Sequence, residues 1–162
     1  MDFLRIDLEQ VGENLLRILV AFVLAFPIGW ERGHGKYSIG FRTIPMVAIA
    51  SCGYVLIAKA IPGATADSQS HLLQGLIAGI GFIGGGAIIK EGTSVSGIVT
   101  AASIWNTAAI GVAVAAESLE IAIVLSLMNF FTLFFLTPIV RRNKQLCEVT
   151  EPKKGEEINS GA

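Results

Sequence analysis

Between Gly75 and Ile89 the chain is apolar enough to sit in hydrocarbon, yet it carries six glycines. In water each interior glycine costs a helix roughly 1 kcal/mol relative to alanine. In lipid the backbone has no water to bond, so hydrogen bonds within the segment keep it helical and the missing side chains leave a groove. Gly75 and Gly79 stand four residues apart, as do Gly81 and Gly85, with Gly84 between them. Gly75, Gly79, Gly81, Gly84 and Gly85 are therefore candidate helix-packing positions along which another backbone can approach.

Composition places the whole chain in the same environment. Of its residues 52% are hydrophobic and 15% charged, against about 25% charged in soluble proteins. The charge gathers in the first seventeen residues, in 31–42 and after Val140, leaving five apolar runs at 15–30, 44–61, 72–89, 98–116 and 121–140. Each is roughly 16 to 20 residues, about 24 to 30 Å as helix, close to the thickness of bilayer hydrocarbon. The expected fold is all-α: a polytopic membrane protein with five transmembrane helices and no room between them for a soluble catalytic domain. The first run is preceded by an acidic segment and followed by no small-x-small cleavage site, so it reads as a retained span rather than a signal peptide.

Basic residues near span ends favour the cytoplasmic side. Arg32, Lys36, Arg42, Lys90, Arg141, Arg142 and Lys144 fall on one side of five alternating spans, while the other side has only Arg17 and Lys59 near span ends. That bias predicts an outside N-terminus and a cytoplasmic C-terminus. Residues 1–146 form the expected transmembrane domain. Residues 147–162, rich in Lys, Glu, Gly and Ser, are an expected disordered cytoplasmic tail.

The run Gly79-Ile-Gly-Phe-Ile-Gly84 matches GxGxxG, but a dinucleotide site requires that motif after a strand with an acidic residue about twenty positions on. Here it lies inside an apolar run, and helix packing is the better reading. In the fourth run Thr100, Ser103 and Thr107 share one helical face, adjoined by Asn106. Such a seam either glues helices together or lines a small hydrated cavity, and Asn129 in the fifth run offers similar glue.

Gly29-Trp-Glu-Arg and Gly40-Phe-Arg-Thr43 bracket a glycine-rich loop at a membrane boundary. Glu31, Arg32, Arg42 and Thr43 form an interfacial motif in which Glu31 is expected to pair with Arg32 and also with Arg42, either as a positive anchor or as a docking or cation-sensing surface. One carboxylate makes a poor Mg²⁺ site, and His34 and His71 fall on opposite sides of the expected topology. Cys52 and Cys147 form no paired or metal-binding framework. No nucleophile, base and orienting group can be assembled, and no aspartate lies in a span. The sequence argues against an enzyme, a cofactor or metal site, and nucleic-acid binding.

The ordered set Gly29-Trp-Glu-Arg, Gly40-Phe-Arg-Thr43, Gly79-Ile-Gly-Phe-Ile-Gly84 and Val95-Ser-Gly-Ile-Val-Thr-Ala-Ala-Ser-Ile-Trp105, with Ala108 and Gly111, resembles the MgtC/SapB family of bacterial inner-membrane proteins. Glu31, Arg32, Arg42, Thr43, Gly79, Gly81, Gly84, Gly97, Thr100, Ala101, Ala102 and Trp105 match its signature. The resemblance implies a multi-pass, self-associating membrane domain linked to growth at low magnesium, adaptation to the host vacuole and modulation of membrane machinery such as the F-type ATP synthase. Two departures stand out: Ile44 follows the Arg-Thr pair where many members have histidine, and the chain resembles the short SapB-like kind without a C-terminal soluble domain.

The leading expectation is thus a non-enzymatic regulator in the bacterial inner membrane, homo-oligomeric and acting on other membrane proteins through its glycine face. The alternative is a small oligomeric transporter of cations such as Mg²⁺, or of solutes, using the polar seam. A regulator needs its glycines open to lipid or a partner; a transporter needs the seam to face a wet cavity.

Overall fold

A computed structural model describes residues 7–33, 40–92 and 94–150, with side chains described except at 91 and 137–150. Five helices follow one another: α1 (Leu8–Gly33), α2 (Gly40–Ala60), α3 (Ala66–Gly86), α4 (Ile98–Ala115) and α5 (Leu119–Thr150). Four of them, α1, α2, α4 and the 119–136 part of α5, are long and apolar enough to cross a membrane. The first turns of α3 hold Asp67, Gln69, His71 and Gln74, so its apolar stretch begins only at Leu72.

The interior is made of small side chains. Ala21, Ala25, Ala48, Ala108, Ala115 and Ala122 are buried, together with Ile28, Ile44, Ile104 and Ile110. Large apolar side chains such as Leu15, Met46, Phe82, Trp105 and Met128 point outward. That inversion suits lipid, where an exposed leucine costs nothing and close backbone packing is what holds helices together.

α4 is the hub: it touches all four other helices and packs most extensively against α2. Gly111 of α4 makes that contact possible, because a Cβ there would strike the backbone of Ala48 and Cys52 in α2. A second close approach joins α1 to α2, where a Cβ on Gly29 would meet Pro45 at 3.1 Å and the Gly40 carbonyl at 3.2 Å.

One expectation is corrected. The apolar run 72–89 is not helical to its end: α3 stops at Gly86, and Ile89–Glu91 pairs antiparallel with Ser94–Ser96 in a short hairpin. Three consecutive glycines at 84–86 weaken the helix end, and Gly92 and Gly97 supply the positive φ that the hairpin and the entry to α4 require. A side chain on Gly97 would also strike the Ala87 carbonyl.

At the far end from this hairpin, the α4–α5 turn places Glu117 at φ 65°, a left-handed conformation uncommon outside glycine. Its carboxylate receives Arg17 of α1 at 3.1 Å and Lys59 of α2 at 3.4 Å. Lys59 Nζ also donates to the Ala115 carbonyl at 2.8 Å. The two basic groups near span ends on this side thus both converge on one turn, and Arg17 also lies 4.0 Å from Glu13. α5 continues to Thr150, past the expected start of the tail at Cys147, and residues 151–162 lie outside the described residues.

Candidate functional site: an open groove beside the glycine helix

Thr65 starts α3 with a reciprocal cap: its Oγ1 accepts from the Ser68 N–H at 3.2 Å, and Ser68 Oγ accepts from the Thr65 N–H at 2.9 Å. The helix then carries its glycines into the apolar zone, where they divide into two groups. Gly84 packs within the chain, its Cβ position lying 3.5 Å from the Ala101 carbonyl of α4. Gly75, Gly79, Gly81 and Gly85 have nothing within 4 Å of theirs. Most of the α3 glycines are therefore open, with Gly75 and Gly79 on the side toward α2, and the chain's own tight glycine contacts are made by Gly29, Gly33, Gly40, Gly97 and Gly111 instead.

Beside that face runs a groove of about 540 Å³ between α2 and α3. α2 contributes Thr43, Met46, Val47, Ala50, Ser51 and Tyr54; α3 contributes Leu72, Gly75, Leu76, Gly79, Ile80 and Ile83. The walls are apolar with one buried exception. Ser51 is 1% exposed, and its Oγ has no hydrogen-bond partner among the described residues. A smaller apolar hollow of about 360 Å³ lies on the other side of α3, between Leu73 and Ile77 and the α4–α5 pair.

The polar seam has a different setting. Thr107 Oγ1 donates to the Ser103 carbonyl at 2.7 Å and Ser103 Oγ to the Val99 carbonyl at 2.9 Å, both one turn back on α4. Ser103 and Thr107 are buried in the core, and Thr100 is half-buried. Asn106 reaches across to the Leu125 carbonyl of α5 at 3.4 Å, so it alone of the four links two helices by a side-chain bond. A cross-link that the sequence did not single out is Ser126 Oγ of α5 donating to the Leu24 carbonyl of α1 at 2.6 Å. Asn129 Nδ2 is buried without a partner among the described residues.

At the α1–α2 junction Glu31 Oε2 accepts from Arg32 Nε at 3.1 Å, and both side chains are largely covered. The expected second pair does not form: Arg42 is exposed and makes no ion pair among the described residues. Thr43, one residue on, turns into the mouth of the groove. Phe26, Trp30 and Phe41 cluster with ring centroids 5.8 to 5.9 Å apart and close the junction. His34 and Lys36 lie outside the described residues. His71 faces Asp67 one turn away at 3.6 Å on an exposed surface. Among the described residues no three His, Cys, Asp or Glu side chains come together as metal ligands would.

Apolar helices around a small-residue core, four of them long and apolar enough to cross a bilayer, define a multi-pass membrane protein. The sequence profile described as MgtC family matches residues 18–142, and the chain belongs to that family. It is 34% identical to Protein MgtC of Brucella abortus over 121 residues, covering 75% of this chain and 50% of the relative. Protein SrpB of Synechococcus elongatus is 32% identical over 137 residues, 77% of this chain and 74% of its own length. An uncharacterized protein of Synechocystis, slr0014, is 39% identical over 100 residues, 62% of this chain and 42% of that protein. The chain thus spans about half the length of the first of these relatives. No solved structure matches it.

Proposed function

We propose that this protein is a non-enzymatic component of the bacterial inner membrane that modulates other membrane machinery by helix packing, during adaptation to low magnesium or to a host compartment. The observation that carries the reading is the set of unpartnered α3 glycines beside an open apolar groove. In a bilayer such a surface attracts helices through close backbone approach. The family resemblance names the F-type ATP synthase as one partner to test, and the basic-residue bias supports an outside N-terminus with a cytoplasmic C-terminus.

The polar seam lends the transport alternative little support, since Ser103 and Thr107 bond back to their own helix within the core. Replacement of Gly79 by leucine tests the packing reading, because it fills the groove from the α3 side without touching the α1–α2–α4 contacts. Gly79→Leu should abolish capture of membrane partners from native membranes and the ability to restore growth of a deletion strain at limiting magnesium. Retained capture and growth would remove the reading.

A further inference from the structure

The geometry points to a lipid site: the α2–α3 groove takes one acyl chain of an anionic phospholipid, whose phosphate binds the Arg42 guanidinium and the Thr43 hydroxyl at the mouth. The inference goes beyond helix packing and concerns a different class of ligand.

Size selects the kind of occupant. The groove is lined by residues 43–54 of α2 and 72–83 of α3, about 17 Å of helix on each wall. A helix of that length and about 10 Å across fills roughly 1,300 Å³, whereas the groove holds about 540 Å³. A helix can therefore lie over the groove but not inside it, while a single extended hydrocarbon chain is narrow enough to enter. One leaflet contributes about 15 Å of hydrocarbon, half of the bilayer core, so the groove is about as long as a leaflet is deep. Gly75 and Gly79 keep its α3 wall clear of side chains. Gly81 lies about 200° around the helix from Gly79, so its side of α3 stays open to a neighbouring helix when the groove is filled.

Charge selects the headgroup. Trp30 and Phe41 pack with ring centroids 5.8 Å apart and are 53% and 41% exposed. Tryptophan in such a setting marks the level of the lipid headgroups. Arg42 follows Phe41 and stands one turn before the groove residue Met46, so it extends the lining row of α2 past its apolar part. It is exposed and makes no ion pair among the described residues. Thr43 lines the mouth, and its hydroxyl has no hydrogen bond among the described residues. Glu31 is engaged by Arg32, and no Asp or Glu occurs from residue 32 to residue 66. A cation at headgroup level without a nearby carboxylate in its own segment draws anionic lipid. A phosphate there accepts from the guanidinium and from the hydroxyl together.

The test uses the full chain in phosphatidylethanolamine vesicles with a trace of phosphatidylglycerol carrying a diazirine midway along one acyl chain. Phosphatidylcholine with the same labelled chain is the comparison without net charge. Irradiation and peptide mapping should concentrate phosphatidylglycerol adducts on 43–54 and 72–83, ahead of exposed α5 positions such as Met128 and Phe134. Phosphatidylcholine should show no such concentration. Arg42→Gln alters an exposed side chain, so the variant should fold, with groove labelling lowered about fivefold and α5 labelling unchanged. Gly79→Leu should empty the groove and Gly81→Leu should not. Labelling no denser in the groove than on α5, equal labelling by the two lipids, or a groove signal indifferent to Arg42→Gln would overturn the inference. Partner capture that is lost in Gly79→Leu but kept in Arg42→Gln would leave the helix-packing reading standing without it.

Discussion

The backbone of Ala48 occupies the space that a side chain on Gly111 would need. α2 and α4 are held at that distance by the absence of one carbon. Gly111→Ala should force them apart and cost about 1–3 kcal/mol, the usual penalty for overfilling a packed interior. Gly75→Ala and Gly85→Ala meet open space and should leave stability unchanged or slightly raised. Thermal unfolding of the purified variants in detergent separates the two classes.

Gly84 presents a graded case. Its Cβ position is in ordinary contact distance of Ala101, so Gly84→Ala should be tolerated. Gly84→Leu should lift α3 from α4 without unfolding the rest. Limited proteolysis in the 61–65 connection reads this directly, with faster cleavage expected for the leucine variant alone.

Glu117 binds Arg17 and Lys59 through one exposed carboxylate. Exposed ion pairs contribute about 0.2–1 kcal/mol each and weaken as salt screens them. Glu117→Gln should therefore lower the unfolding temperature at low ionic strength and approach wild type at 1 M salt, an ionic strength chosen because the Debye length there is about 3 Å. A deficit that does not change with salt would point to strain at the left-handed turn instead of charge.

Ser103→Ala and Thr107→Val remove hydroxyls that donate one turn back along their own helix. Back-bonding of this kind contributes little to helix stability. Both variants should fold and match the unaltered chain in any growth assay at limiting magnesium, with stability changed by about 1 kcal/mol or less. Loss of activity in a folded Thr107→Val protein would revive the transport alternative.

The five helices could be read from the sequence because each apolar run is bounded by charge, as at Glu31 or Lys90. The end of α3 could not, since Ile88 and Ile89 look like continuing hydrocarbon, and only the glycines at 84–86 and the Gly92 turn redirect them. Which face of each helix meets lipid was also hidden. Protein and hydrocarbon neighbours are equally apolar, so periodicity does not distinguish Ile80, which is buried, from Phe82, which is exposed. For the same reason the glycine-rich helix drew attention as the packing element, while Gly111 and Gly29 make the tighter contacts inside the chain. Ser51 gave no signal at all in a run of small residues. The convergence of Arg17 and Lys59 on Glu117 joins positions far apart in the chain, which only the folded backbone brings together.

The Glu117 turn fastens α1, α2 and α4 at one end, the glycine junction fastens α1 and α2 again toward the other, and Gly111 seats α4 on α2 between them. Those three helices make a tripod braced at head and foot. α3 rests against α2 and α4 through Gly84 and the buried Ile80 and is tied to α4 by a short hairpin; it packs less extensively on the others than any other helix does, so it is the member that a neighbour could tilt at least cost. Amide exchange in α3 should then run ahead of the tripod and slow selectively when a neighbouring helix arrives.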